Sequence, residues 1–166
     1  MFRSIDPKQL KENVFTLLDD DWALITAGTG DRCNTMTASW GGLGVLWEKP
    51  MATIYVRPQR YTYEFLEASP MFTLSFFGDG WREQLALCGA TSGRDTDKFA
   101  ECGFHVGLAG PDAPYIEEAR LVLVCKKRYW QDLDPTHMDA GALAEYPKQD
   151  YHRMYFGEIT DVLVKE

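Results

Sequence analysis

The sequence lacks the residue patterns of a metal site. Its four cysteines are Cys33, Cys88, Cys102 and Cys125, and they form neither a Cys-x-x-Cys pair nor a Cys/His set with the spacing of a zinc site. We therefore expect no bound metal. The cysteines are typical of buried or half-buried thiols in a protein that stays in a reducing compartment.

Basic residues and long apolar runs are also scarce. The chain has 17 Lys and Arg against 25 Asp and Glu, a net charge of -8, whereas a general nucleic-acid binder carries a basic face. Any anionic ligand must therefore be held by local arginines. No run approaches the roughly 18 apolar residues of a membrane helix, and residues 1–6 lack the apolar stretch of a signal peptide. We expect a cytoplasmic protein that binds neither nucleic acid nor a membrane.

Motifs of nucleophilic catalysis are missing as well. The three histidines are His105, His137 and His152, and the chain contains no Gly-x-Ser-x-Gly elbow and no His-Glu-x-x-His. These absences give no support to a hydrolase or a metalloprotease. No Gly-x-Gly-x-x-Gly motif follows a strand either, so a dinucleotide-binding fold is not predicted.

The residues that are present favour one mainly β domain over positions 1–166. Short apolar runs bounded by turn residues predict strands, and few long crossover helices separate them, which favours an antiparallel Greek-key barrel with flanking helices. Strands are predicted at 22–27, 34–40, 51–56, 71–77, 104–108, 121–129 and 151–164, and helices at about 7–18, 61–68, 81–88 and 95–102.

Local signals set several of these boundaries. Asp6-Pro7 predicts the start of the first helix, and the acids at 19–21 predict its end because they oppose the helix dipole. Gly103 suits a left-handed cap, and Gly157 marks a bulge in the last strand. Residues 132–149 have the weakest pattern and are interpreted as a surface excursion or a lid.

Three segments together suggest a site for a flat ring and a phosphate. Residues 34–40 place hydroxyls and small side chains on a strand, residues 57–62 place two arginines and a threonine where a strand gives way to a helix, and residues 91–95 place Ser and Gly before another helix. Each segment has a plainer interpretation, respectively an exposed Thr-rich strand, solvated arginines and a capped loop. The coincidence of all three favours the site.

His152 is the most informative histidine. Alternation along its strand puts it on one face with Met154 and Phe156. It is either a site residue or a packed structural histidine.

These motifs resemble the flavin reductase-like proteins, which bind FMN on a split β-barrel. The resemblance covers about residues 22–164. The motifs that carry it are Asn34-x-Met36-Thr37-x-Ser39-Trp40, the segment from Trp47-x-Lys49-Pro50 to Val56-Arg57, Arg60-x-Thr62, Cys88-Gly89-x-x-Ser92-Gly93-Arg94-Asp95-x-Asp97-Lys98-Phe99, and His152 followed five residues later by Gly157-Glu158-Ile159.

The resemblance implies a homodimer with FMN near the subunit boundary. The phosphate would meet residues 57–62, with Arg57 and Arg60 as a clamp and Thr62 as a cap, and the ring would face residues 35–39. The predicted cofactor-binding residues are Asn34, Thr35, Met36, Thr37, Ala38, Ser39, Trp40, Arg57, Gln59, Arg60, Tyr61, Thr62, Ser92, Gly93 and Arg94, and the catalytic candidate is His152.

The implied function is that of an NADH- or NADPH-dependent flavin reductase, or of an oxidoreductase that passes electrons from the flavin to a coupled acceptor. Trp40, Gly41-Gly42 and Trp47 replace the Ser/Phe-rich segment and Ser-x-x-Pro-Pro turn of reductases that supply monooxygenases, and this departure leaves the electron donor open. Two alternatives remain: a non-catalytic FMN-holding electron carrier that works with a redox partner protein, and a dimeric binding module that has lost its flavin.

Overall fold

The computed structural model describes residues 1–166 and contains one large antiparallel sheet of eight strands and a separate pair of short strands. The mainly β, antiparallel fold predicted from the sequence is confirmed. The strands are β1 (Phe2–Ile5), β2 (Ala23–Gly28), β3 (Cys33–Ala38), β4 (Gly41–Leu46), β5 (Lys49–Val56), β6 (Met71–Phe76), β7 (Val106–Leu108), β8 (Pro114–Ile116), β9 (Leu121–Asp132) and β10 (Arg153–Lys165).

The order of strands in the large sheet is β3-β2-β6-β9-β10-β5-β4, with β1 added beside β10. β3 and β4 follow each other in the chain with only Ser39 and Trp40 between them, yet they lie at opposite ends of this order. The sheet therefore curls into a barrel whose end strands meet without a ladder of hydrogen bonds. This split leaves one edge of β3 unpaired.

Two hydrophobic clusters hold the barrel and its outer layer. The larger cluster has 20 buried residues inside the barrel, among them Ile25, Met36 and Ile54. The smaller has 11 and lies beneath the helices, with Leu24 and Cys88 as members. β2 is buried over its whole length because alternate side chains enter different clusters, which explains its unbroken apolar sequence.

The five α-helices are short. α1 (Val14–Thr16) lies between β1 and β2, and α2 (Tyr61–Ala68) lies between β5 and β6. α3 (Arg82–Ala90) and α4 (Lys98–Cys102) lie between β6 and β7, and α5 (Ala140–Ala144) lies between β9 and β10. α2 has the predicted bounds. α4 begins three residues later than predicted because the Asp97 side chain accepts from the N–H of Ala100 and so caps the helix there. Gly103 ends α4 in the left-handed region at φ 67°, as predicted.

The prediction of one continuous helix at about 7–18 is wrong. Asp6 caps a single 3-10 turn over Pro7–Gln9, and Asn13 then caps α1, which continues as a wider π-turn over Leu17–Asp21. Two capping residues, each bonding its own N–H groups, divide the segment into two turns. The three aspartates lie within the last turn and do not follow it.

β1, β4 and β8 were not predicted. β4 shows no alternation of apolar and polar residues in the sequence, because three of its six positions, Gly41, Gly42 and Gly44, have no side chain. Its turn into β5 is formed by Trp47 and Glu48, both at positive φ, without the Asn-Gly or Asp-Gly pair that usually marks such a turn.

The bulge predicted at Gly157 is confirmed by a register shift against β9 between Phe156 and Gly157. Glycine is required there because an added Cβ would lie 2.4 Å from Cζ of Phe72. Between β9 and β10 the chain makes the predicted surface excursion, with a 3-10 turn over Pro135–His137 and helix α5. No helix of the protein is long and apolar enough to cross a membrane.

Candidate functional site

The unpaired edge of β3 is the backbone of the candidate site. The carbonyl of Thr35 accepts hydrogen bonds from Lys98 Nζ at 2.8 Å and from Asn34 Nδ2 at 3.4 Å, neither of which belongs to the neighbouring strand. This carbonyl therefore points away from β2. Because backbone groups repeat every second residue in an antiparallel pair, the N–H and carbonyl of Thr37 also point away from β2. The edge thus leaves the N–H of Thr35 and both backbone groups of Thr37 without a partner strand, while the Thr35 carbonyl is bonded by Lys98 and Asn34.

The hydroxyls and the amide of this strand are engaged inside the protein. Thr35 Oγ1 donates to the carbonyl of Ile25 and lies 3.0 Å from Thr26 Oγ1, and Thr37 Oγ1 donates to the carbonyl of Leu85. Asn34 Nδ2 donates to Thr62 Oγ1 at 2.8 Å. The side chains predicted to bind a ring edge therefore fix the strand, and the polar groups that β3 leaves for a ligand are those of its backbone.

A cavity of about 240 Å³ lies at the carboxyl end of β3. It is lined by Met36, Thr37, Ala38, Ser39, Trp40, Tyr55, Arg57 and His152. The structure thus brings together the second half of the predicted strand motif and the predicted catalytic histidine. Met36 itself is 6% exposed and belongs to the barrel core.

His152 is buried at this cavity and held by aromatic neighbours. Its Nδ1 lies 2.7 Å from the hydroxyl oxygen of Tyr146, and its ring centroid is 5.2 Å from that of Trp40. Nε2 has no hydrogen-bond partner in the chain, so it is the ring atom left for a ligand. Burial, with the added repulsion of Arg57, lowers the pKa of His152 to about 4. The imidazole is therefore neutral at physiological pH.

Arg57 and Gln59 bind the surface excursion. Arg57 Nη1 donates to Asp150 Oδ1 at 2.8 Å, Gln59 Nε2 donates to the other oxygen of the same carboxylate at 2.6 Å, and the guanidinium lies 4.9 Å from the ring centroid of Tyr146. The positive charge of Arg57 is thus neutralised within the chain. These contacts hold in place the segment that carries Tyr146, whose hydroxyl bonds His152.

Arg60 and Lys98 form a pair of cations without a carboxylate partner. Lys98 Nζ donates to the carbonyls of Thr35 and Cys88, both at 2.8 Å, and Arg60 donates to the carbonyls of Gly89 and Cys88 at 2.9 and 3.3 Å. Both side chains meet at the carboxyl end of α3, whose dipole stabilises positive charge.

Lys98 is 2% exposed. Desolvation, followed by the repulsion of Arg60, lowers the pKa of Lys98 to about 8, and desolvation also lowers the pKa of Arg60. Lys98 is buried and Arg60 is half-buried, and the only hydrogen-bond partners of both are carbonyl oxygens, so an incoming anion would stabilise them. Lys98 was not among the predicted site residues, although it stands in the Ser-Gly-Arg-Asp motif that the sequence presents; its burial against β3 could not be read from that motif.

The loop before α4 packs closely on β3 and α2. An added Cβ on Gly93 would lie 2.0 Å from Asn34 Oδ1, so glycine is required. Ser92 Oγ accepts from the N–H of Arg94, whose guanidinium lies 4.7 Å from the ring centroid of Tyr61 and bonds Glu64. A cavity of about 520 Å³ opens here, lined among others by Asn34, Tyr61, Gly93, Arg94 and Lys98.

Thr62 does not cap α2. The N-cap position is Arg60, whose side chain makes no capping bond, and Thr62 is fully buried in the first turn, where its hydroxyl accepts from Asn34. The predicted residues therefore fall into two groups along β3. Asn34, Arg60, Tyr61, Thr62, Gly93 and Arg94 surround one end with Lys98, and residues 36–40, Arg57 and His152 surround the other.

A family model described as flavin reductase like domain matches residues 20–166 of the chain. The chain belongs to this family. The resemblance that the motifs suggested is thereby confirmed.

One curated relative is the high molecular weight rubredoxin of Moorella thermoacetica. It is 30% identical over 145 residues, which cover 85% of this chain and 54% of that protein. The chain thus spans about half the length of the curated relative that it matches.

Solved structures share the flavin reductase-like fold. An FMN-binding domain of a flavin reductases-like enzyme from Shewanella baltica superposes with a TM-score of 0.71 at 20% identity, covering 99% of this chain and 77% of that one. Flavoredoxin of Desulfovibrio vulgaris superposes with a TM-score of 0.69 at 24% identity, covering 99% and 76%. At these identities the likeness establishes the fold.

Proposed function

We propose that this chain binds FMN along the free edge of β3 and acts as an oxidoreductase of flavin reductase type. The observation that carries the proposal is the pair of cations, Lys98 and Arg60, at one end of an edge strand whose other end opens to a cavity beside His152. Lys98 contacts the carbonyl of Thr35, and Ser39 in the cavity lining is four residues further on, a span of about 13 Å in extended chain. That spacing suits an elongated molecule with a phosphate at one end and a ring at the other.

The phosphate end is proposed at Lys98 and Arg60. A phosphate there gains charge-assisted hydrogen bonds from both cations and the unbonded N–H groups of the first turn of α2. We do not assign Arg57 to the phosphate, because its guanidinium already pairs with Asp150. The proposed clamp is therefore Arg60 with Lys98, whereas the sequence pointed to Arg60 with Arg57.

The ring end is proposed at residues 37–40 and His152. Backbone N–H and carbonyl groups at the edge of β3 can bond the polar rim of an isoalloxazine, while Trp40 and Tyr55 exclude water from one side. The bound flavin supplies the redox chemistry. His152 is neutral, so it contributes a hydrogen bond through Nε2 and adds no positive charge to the ring.

NADH or NADPH is the proposed reductant, in line with the family to which the chain belongs. A second candidate is an electron carrier that keeps FMN and exchanges electrons with a redox partner protein. The relative named high molecular weight rubredoxin favours this candidate, because its length leaves room for a further part beyond the region matched by this chain.

We also propose that residues 1–166 form one domain and that two copies form a homodimer. The β4–β5 hairpin exposes Val45, Leu46 and Trp47 on an unpaired sheet edge, and Trp47 is 53% exposed. Exposed apolar groups on an edge strand are typical of an interface. Light scattering should give about twice the 18.9 kDa mass of the chain.

The decisive experiment is anaerobic addition of NADH or NADPH to FMN-loaded protein, followed by the visible spectrum. Rapid loss of the oxidised flavin absorption supports the reductase. Retained FMN that dithionite bleaches but neither nicotinamide does would support the carrier instead. Protein that takes up no FMN would overturn both candidates.

A further inference from the structure

Trp40 forms a wall of two further cavities on the outer side of the barrel. One, of about 790 Å³, lies between Trp40 and the N-terminal helical turns, and the other, of about 380 Å³, lies between Trp40 and the surface excursion. Trp40, Leu133 and Tyr146 line both, so the two cavities adjoin. We call this pair of cavities the Trp40 groove.

The groove is lined by aromatic and apolar side chains. Apart from the three shared residues, its apolar lining consists of Val14, Phe15, Leu18, Leu43, Tyr55, Met138, Ala142 and Met154. Trp40 is 46% exposed and Phe15 is 85% exposed, so both rings present a face to a ligand. Cavities of about 300–1,000 Å³ with such a lining hold small organic molecules.

The charged groups of the groove are almost all acidic. Asp19 lies in the larger cavity, and Asp132, Asp134 and Glu145 lie in the smaller one. No lysine or arginine lines either cavity, and the one basic side chain is that of His137, 4.0 Å from Asp134. Asp132 is paired with Arg153, whereas Asp19, Asp134 and Glu145 have no lysine or arginine partner. An anionic ligand would meet the like charge of these three carboxylates, whereas an uncharged ligand would not.

The groove is continuous with the proposed ring site. Trp40 and Tyr55 line both the larger groove cavity and the cavity of His152, and the Trp40 and His152 rings are 5.2 Å apart between centroids. A molecule lying against Trp40 is therefore next to the position proposed for the flavin ring.

We propose that the Trp40 groove is a binding subsite for an uncharged, planar aromatic molecule of the quinone type. Its role as an electron acceptor rests on the proposed function; binding in the groove does not. Aromatic walls stack on the flat ring, the acidic rim selects against anions, and Leu133 and Tyr146, carried by the segment that Arg57 and Asp150 hold in place, close one side.

The test compares two probes of the same ring system on FMN-saturated protein by titration calorimetry. Menadione is uncharged, and 1,4-naphthoquinone-2-sulfonate carries one negative charge. We expect menadione to bind at least about tenfold more tightly. Trp40→Ala should weaken menadione binding by about tenfold or more. Trp130→Ala is the matched control, because Trp130 is 49% exposed and lines neither cavity.

Equal affinity for both probes, or an equal loss of menadione affinity in the Trp40→Ala and Trp130→Ala variants, would overturn the proposal. So would displacement of FMN by menadione, since the groove would then belong to the flavin itself. A Trp40→Ala protein that is monomeric when the parent is dimeric would reassign the groove to a second copy. If FMN does not bind at all, the proposed function fails, and menadione binding to the FMN-free protein still decides the subsite.

Discussion

Lys98 is a buried ammonium whose hydrogen bonds all go to carbonyl oxygens of Thr35 and Cys88. An isolated buried charge is costly, and proteins keep one where a ligand or a reaction requires it. The titratable neighbours of Lys98 are Arg60, Cys88 and Cys102, and none of them supplies a carboxylate. The phosphate proposed above would supply the negative charge that Lys98 lacks within the chain.

Replacement of Lys98 by methionine tests this explanation. Lys98→Met keeps the length of the side chain and removes the charge, so FMN should bind about ten- to a hundredfold more weakly, the effect of one lost charge-assisted hydrogen bond. Riboflavin has no phosphate, and its affinity should change little. Calorimetry with both ligands measures the difference, and an equal loss for both would show that Lys98 acts only through the fold.

The lowered pKa of Lys98 also predicts a pH dependence of FMN affinity. The free protein loses the Lys98 proton near pH 8, and a bound phosphate favours the protonated form, so FMN affinity should fall by up to about tenfold per pH unit above 8. Riboflavin affinity, and FMN affinity of Lys98→Met, should stay flat in the same titration.

The lowered pKa of Lys98 also makes the stability of the FMN-free protein depend on pH. Above pH 8 the unfolded chain holds the lysine proton longer than the folded chain, so this residue makes the FMN-free protein more stable as the pH rises towards the ordinary lysine value.

Tyr146 is predicted to position His152 through their 2.7 Å hydrogen bond. Tyr146→Phe should slow reduction of bound flavin by about three- to tenfold in stopped flow, the worth of one neutral hydrogen bond, with FMN affinity nearly unchanged. Tyr151→Phe is the control, because the Tyr151 ring lies 5.1 Å from that of Tyr146 but bonds no histidine. Equal rates of flavin reduction in the two variants would show that Tyr146 does not position His152.

At the scale of elements, sequence pattern was informative where an element follows one local rule. α2 has a clear start after Pro58 and a clear stop before Pro70, and the structure gives it the predicted bounds. The segment 7–18 is preceded by one cap, Asp6, and contains a second, Asn13, and periodicity alone could not show that both are used.

In the candidate site too, local sequence pattern was informative for some residues and not for others. Sequence pattern predicted the β3 motif, Arg60 and His152 as site residues from strand alternation and motif spacing, and these assignments stay predictions. It could not distinguish Arg57 from Lys98, since the partner of Arg57 is Asp150, 93 residues away in the chain. Whether a cation has a carboxylate partner depends on residues far away in the chain, and a local sequence pattern does not show such pairs.

The β10 bulge gives a prediction for stability. Gly157→Ala would place a Cβ 2.4 Å from Phe72 Cζ and 2.8 Å from Cys125 Cβ in the barrel core. Such overpacking lowers the free energy of unfolding by about 1–3 kcal/mol. Gly78→Ala is the control, because nothing lies within 4 Å of its added Cβ. Urea denaturation of the two variants should differ by that amount, and equal midpoints would contradict the packing argument.

At the scale of the whole molecule, the split of the barrel explains why the proposed flavin contacts collect on one strand. A closed barrel would bond both edges of β3, whereas here the edge away from β2 is free and lies between the cation pair and the His152 cavity. The acidic net charge of -8 is consistent with a phosphate site made of a few local cations.

The central claim is that the chain binds FMN through its phosphate at Lys98 and Arg60. The most direct measurement is titration calorimetry of the unmodified protein with FMN and with riboflavin in the same buffer. We expect one FMN per chain and an affinity at least about tenfold higher for FMN than for riboflavin. Equal affinity for the two ligands, or no binding of FMN, would contradict it.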